Sequence, residues 1–160
     1  MLHRLGVVFV LLLAGCSGAT VPRTVEPTLA AMADLGLDCG DGTLDNVPGG
    51  LTQWRCAGPL EGADTSVFVD GSANGVAAIT VDVRGSGGAM AALPVLERLA
   101  RDVPSLSSAP GLATALASWT GEQVAVTVGQ VFVSAACNAT SCMVWVAPAA
   151  GPLQDVLPPP

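Results

Sequence analysis

The first sixteen residues constrain this chain more than any other feature. After His3 and Arg4, residues 5–13 form a continuous apolar run that leads to Ala14, Gly15 and Cys16. At about 1.5 Å per residue, a helix of this length cannot cross a hydrocarbon core of about 30 Å. A basic start, a short apolar run and small residues before a cleavage point are typical of a secretory signal peptide. The sequence therefore predicts export from the cytoplasm.

The end of this run, Leu13-Ala14-Gly15-Cys16, resembles the lipobox of bacterial lipoproteins. The resemblance implies that residues 1–15 are removed and that the Cys16 sulfur carries a diacylglyceryl group. Two or more acyl chains, such as palmitate, anchor a protein stably, whereas a single chain binds only weakly. We therefore expect a lipid-anchored protein on the extracytoplasmic face of the cell membrane, with residues 16–25 as a tether. The alternative is an ordinary secretory signal in which Cys16 is coincidental.

Composition limits the function. The chain has six Arg, no Lys, no Tyr and 13 acidic residues, which gives a formal net charge of −7. A net acidic chain is a poor nucleic-acid binder, because that affinity depends on neutralising phosphates. Removal of the signal peptide takes away His3, the only histidine, so Ser–His–Asp, Cys–His and His-liganded zinc sites cannot be built. We expect no enzyme activity, no metal and no cofactor.

Two kinds of function remain open. The favoured one is a non-catalytic binding or adaptor module that recognises either an envelope protein or a small apolar ligand. The alternative is a hydrolase of the cell envelope that depends on carboxylates, because two acids at a suitable separation suffice for such chemistry.

Four cysteines remain after Cys16: Cys39, Cys56, Cys137 and Cys142. An even number in an exported protein predicts two disulfides. Of the three possible pairings we favour Cys39–Cys56 and Cys137–Cys142, because each pair lies within one local unit. A four-cysteine zinc site is the rival interpretation, but it needs a close Cys pair on both arms.

The hydrophobic pattern predicts an α+β domain over residues 26–147, followed by a Pro-rich tail over 148–160. We expect an antiparallel sheet of about six strands with two or three helices on one face. The predicted helices are Pro27–Leu35, a segment that ends near Asp102 with Pro94 in its first turn, and Gly111–Trp119. The predicted strands are Leu51–Ala57, Thr65–Asp70, Val76–Arg84, Gln123–Val128, Val131–Ala136 and Cys142–Ala147. This order suggests two similar halves, each with helix followed by three strands.

Three further segments are candidates for function. Trp145 is the best candidate for an exposed apolar binding surface, since Cys142–Ala147 is apolar on both faces. The loop with Asp38, Asp41 and Asp45 offers oxygens of the kind that calcium prefers, but its spacing does not match an EF-hand, which favours a solvated loop. Gly85-Ser86-Gly87-Gly88 lies where a dinucleotide fingerprint would lie. The third glycine of that fingerprint would fall on Met90, which favours a flexible link instead.

Overall fold

A computed structural model describes residues 23–40, 44–47, 49–107, 124–128 and 131–148. The side chains of residues 44–47, Val124 and Val126 are not described. Three predicted features also lie outside the described residues: the lipidation site Cys16, the helix Gly111–Trp119 and the tail beyond Pro148.

The described residues form one antiparallel sheet and two helices, which confirms the predicted α+β class. The strands run in the order β1-β3-β4-β5-β8-β7-β6, and β2 pairs with β3 outside this path. The helices are α1 (Glu26–Asp34) and α2 (Ala89–Asp102). The strands are β1 (Asp38–Cys39), β2 (Leu44–Val47), β3 (Leu51–Leu60), β4 (Ala63–Ser72), β5 (Gly75–Arg84), β6 (Val124–Val128), β7 (Val131–Cys137) and β8 (Ser141–Pro148).

Alternation along the strands separates a buried face from an open one. Along β4, every second residue from Ala63 to Gly71 is buried, whereas the residues between them are half-buried or exposed. A strand with this period presents one row of side chains to a core and the other to solvent. Helix α1 packs against β1 and β3, and α2 packs against β4, β5 and β8. Both described helices therefore cover the same buried face, around Met32, Leu96 and Leu99.

The topology contains the two expected halves. Strands β3, β4 and β5 form one meander, and β6, β7 and β8 form another. The last strand of each meander pairs with the other, antiparallel, with Ile79 opposite Val146. This is the arrangement that an approximate two-fold relation between the halves would give.

The sheet has more strands than the sequence predicts. Strands β1 and β2 lie in the Gly- and Asp-rich segment that was expected to be an irregular loop. Both pair antiparallel with β3, and Cys39 lies opposite Cys56. Strands of two and four residues are too short to show an alternating pattern, and their pairing depends on the longer strand β3.

The position of Pro94 differs from the prediction. Helix α2 begins at Ala89, so Pro94 is its sixth residue and lies inside the helix rather than in its first turn. The N–H that proline lacks would have bonded to the carbonyl of Met90. Pro94 and Met90 are both exposed, so water can satisfy that carbonyl.

The expectation of a flexible link at residues 85–88 is wrong. The N–H of Gly85 donates to the Thr140 carbonyl at 3.0 Å, and the N–H of Gly87 donates to the Ala139 carbonyl at 3.1 Å. Gly88 is buried with φ of +50°, and a Cβ there would collide with the carbonyl oxygen of Asn138. This glycine segment is therefore docked on the β7–β8 turn, a partner far away in sequence.

Candidate functional site

The disulfides have the pairing that the sequence favours. Cys39 lies opposite Cys56 across β1 and β3, and Cys137 lies opposite Cys142 across β7 and β8. The sulfur atoms of each pair lie at bonding distance. The first bond fixes the short strand β1 to β3. The second closes the β7–β8 turn on which the glycine segment is docked.

One end of the sheet contains a concave space, which we call the apolar cavity. Its volume is about 250 Å³. The first residues of β5 and β7, the last residues of β8 and the turn after α2 form its walls. The lining residues are Val76, Ala77, Ala78, Ile79, Ser105, Leu106, Val131, Val146, Ala147 and Pro148. None of these side chains is charged, so the cavity suits an apolar group.

A hydrogen bond between two hydroxyls holds the helices together beside the cavity. The Thr28 Oγ1 and Ser105 Oγ atoms are 2.8 Å apart. Thr28 belongs to α1 and is buried, whereas Ser105 lies in the turn that follows α2. Among the described lining residues, Ser105 is the one with a polar side chain, and this bond directs its hydroxyl toward α1.

The face of the sheet opposite the described helices, which we call the open face, carries Trp145. This side chain is half-buried and lies edge-on to Phe132, with ring centroids 5.7 Å apart and an interplanar angle of 69°. Met143, two residues earlier on β8, is 51% exposed. Phe68 on β4 shares this face. Because β8 lies between β5 and β7, Trp145 and Met143 lie near the middle of the sheet. Their neighbours across the strands on this face are polar at several positions: Thr80 and Ser134 lie opposite Trp145, and Asp82 lies opposite Met143.

The end of the open face remote from the apolar cavity forms a polar groove of about 360 Å³. The Arg84 guanidinium contacts Asp82 Oδ2 at 3.0 Å. The Arg55 guanidinium donates to the Ser66 hydroxyl at 3.1 Å and lies 5.9 Å from the centre of the Phe68 ring. The Asp82 carboxylate is therefore already ion-paired with Arg84. This does not favour a hydrolase, which would need two unpaired carboxylates at its site.

Two acids have perturbed pKa values, in opposite directions. Burial raises the pKa of Asp70 above its ordinary value of 3.8, while a hydrogen bond from Gln53 Nε2 at 2.7 Å opposes that rise. A hydrogen bond from Arg101, together with the ion pair from Arg98 at 2.6 Å, lowers the pKa of Asp102. Neither carboxylate lines the apolar cavity.

Comparison with known proteins gave no match. No protein-family model, curated protein or solved structure matches this chain. Its function must therefore be inferred from its own residues.

The remaining candidates from the sequence do not come together at one site. Trp145 lies half-buried on the open face. Asp38 is exposed, Asp41 is not described, and nothing is described for the Asp45 side chain. Within the described ranges, no group of three or more His, Cys, Asp or Glu residues could hold a metal ion.

The apolar cavity was not identified from sequence. Its walls come from four separate segments, each of which shows only an ordinary core or turn pattern.

In the part of the chain that the structure describes, no helix is long and apolar enough to cross a membrane.

Proposed function

We propose that this chain is an extracytoplasmic lipoprotein, anchored through Cys16, whose domain is a non-catalytic binding module for a small apolar ligand. The observation that carries the proposal is the apolar cavity, a space of about 250 Å³ with no charged side chain among its described lining residues. Apolar concave sites with few polar groups are the usual form of small-ligand sites in proteins. One of the two disulfides, Cys137–Cys142, joins β7 and β8, which both supply residues to the walls of the cavity.

The composition supports a role without catalysis. The chain lacks Lys and Tyr, and its only histidine belongs to the proposed signal peptide. Most general bases and nucleophile activators are therefore missing. Within the polar groove, Arg84 engages Asp82.

A second candidate function is recognition of an envelope protein through the open face. The half-buried Trp145 and the exposed Met143 favour it, because aromatic and Met side chains are enriched in protein interfaces. A photoreactive amino acid at Met143 tests this function directly in cells. A discrete protein adduct from position 143, but not from exposed Glu97 on α2, would support the open face as an interface. Equal labelling from both positions would contradict it.

Anchoring through Cys16 is tested by Cys16→Ser. We expect the native protein to fractionate with membranes and its intact mass to show a lipid adduct, with residues 1–15 absent. The Cys16→Ser protein is expected to carry no adduct and to leave the membrane fraction. Unchanged membrane retention of this variant, or an uncut leader on the native protein, would contradict the anchor.

A further inference from the structure

The apolar cavity and the start of the folded chain lie at the same end of the sheet. Val76–Ile79 directly follow the β4–β5 turn and supply one wall of the cavity. The hydroxyl of Thr24 donates to the carbonyl oxygens of Ser72 and Ala73 in that turn, at 3.2 and 3.3 Å. The polypeptide therefore enters the domain beside the cavity.

The entry of the chain is fixed rather than loosely attached. Val25, which the sequence assigned to the tether, is fully buried. It packs so closely on Gly71 that a Cβ at that glycine would approach Val25 Cγ2 to 2.8 Å. The end of the sheet that carries the β4–β5 turn is consequently the end from which any tether departs.

The length of the tether sets the distance to the bilayer. Seven residues lie between Cys16 and Thr24, so a fully extended chain from one to the other spans about 30 Å at most. This inference rests on the proposed function, in which Cys16 is acylated. The end of the sheet that contains the cavity then faces the membrane and lies within the length of the extended tether.

The lining chemistry selects the acyl part of a lipid. None of the described residues in the walls has a charged side chain, and the Ser105 hydroxyl already contacts Thr28. A methylene chain needs no hydrogen-bond partner, so apolar walls can replace the apolar surroundings that the chain has in the bilayer. Two of the arginines that could bind a headgroup, Arg55 and Arg84, line the polar groove at the other end of the sheet.

We propose that the apolar cavity takes up one acyl chain of a lipid from the adjacent bilayer. The headgroup stays at the mouth of the cavity, on the side from which the tether departs. The chains on Cys16 remain in the membrane, because their insertion there is what anchors the protein.

The test uses the full-length protein in bacterial cells that are fed a photoactivatable, alkyne-tagged fatty acid. Without light, incorporation of the tag at Cys16 reports the anchor. After illumination, we expect a second adduct, with the mass of a separate lipid, on peptides that contain Val76–Ile79 or Val146–Pro148. The two adducts are read from the same peptide map, so failure of the anchor and failure of the cavity are distinguished.

Three results would overturn the inference. The first is the absence of a light-dependent adduct on the cavity peptides. The second is equal labelling of cavity peptides and of the exposed residue Glu97, which indicates contact with lipid in general. The third is a crosslink between the Cys16 peptide and a cavity peptide, because this would identify the protein's own anchor as the occupant.

Substitutions that fill the cavity supply the matched control. Ala147→Leu and Ala77→Leu each add bulk to a lining position and are expected to reduce the light-dependent adduct at least about fivefold, since ligand affinity depends on the space available. Ala136→Leu adds the same bulk at an exposed position of β7 and is expected to leave it unchanged. Each yield is divided by the Cys16 label, which corrects for poor accumulation. Unchanged labelling in both cavity variants would contradict the inference.

Discussion

At the scale of single residues, close packing against backbone makes some positions intolerant of any side chain. Gly88 is the clearest case, since its φ of +50° is uncommon for residues with a Cβ and the Asn138 carbonyl occupies the space that a Cβ needs. Gly85, three residues earlier, has no backbone atom this close. The two glycines look equivalent in the sequence but differ in their tertiary surroundings.

We therefore expect Gly88→Ala to lower the free energy of unfolding by about 3 kcal/mol, through steric overlap and backbone strain. Gly85→Ala is the control and is expected to change it by less than about 0.5 kcal/mol. Urea denaturation of both variants measures the difference. Equal stability of the two variants would show that residues 85–88 are not docked on the β7–β8 turn.

Asp70 is expected to make folding less favourable as pH rises. Its pKa is raised in the folded state, so the folded protein binds the proton more tightly, and stability falls as pH rises from 3.8 through the folded pKa. Asp70→Asn keeps an oxygen that can accept the Gln53 hydrogen bond but removes the charge. The variant is expected to have a higher Tm than the native protein at pH 7 and a similar Tm at pH 3.

Asp102 is expected to change stability with pH in the opposite direction to Asp70. Arg101 and Arg98 lower its pKa, so its contribution is present above 3.8 and is lost as pH falls through the lowered pKa. Asp102→Asn should lower the Tm at pH 7 and have little effect at low pH. If both Asn variants shift the Tm in the same direction at pH 7, the assignment of these two environments is wrong.

At the scale of elements, the two faces of β4 determine what each side chain contributes. Val67 is completely buried under the helices, whereas its neighbour Phe68 lies half-buried on the open face. The sequence shows two adjacent apolar residues and does not indicate which of them contributes more to stability. The side of the sheet on which each lies decides their contributions to stability.

We expect Val67→Ala to lower the free energy of unfolding by about 2.5 kcal/mol because it leaves a cavity in the core. Phe68→Ala removes more atoms but is expected to cost only about 1 kcal/mol, since the side chain is half-buried, lies outside the core under the helices and makes only a weak contact with Arg55. Urea unfolding of the two variants checks this order. A larger loss for Phe68→Ala would mean that the open face is covered in the folded protein.

At the scale of the whole molecule, stability depends on a small core and on two disulfide bonds between neighbouring strands. Chain-entropy arguments make the bond with the longer loop worth more. Cys39–Cys56 has a sequence separation of 17 and Cys137–Cys142 a separation of 5.

Replacing both Cys39 and Cys56 by Ala is expected to lower the free energy of unfolding by about 3 kcal/mol, and replacing Cys137 and Cys142 by about 2 kcal/mol. Thiol titration of the unfolded native domain, once Cys16 is acylated, should detect no free sulfhydryl before reduction and four after it. In reducing buffer, the native protein should lose its advantage over both variants. Four reactive thiols before reduction would contradict both bonds.

The sequence alone determined the elements whose signals are local. Alternation and short apolar or β-branched runs identified the six longer strands, and the apolar spacing identified α1 and α2. The cysteine count with its spacing gave the disulfide pairing. Lipidation of Cys16 rests on sequence as well and stays a prediction. Only the tertiary structure decided that β1 and β2 pair with β3, that the glycine segment is docked, and that Trp145 lies opposite the helices. It also brought four segments together around the apolar cavity beside Thr24. Contacts between residues far apart in the chain leave no period in the sequence, so they become visible only when the sheet is assembled.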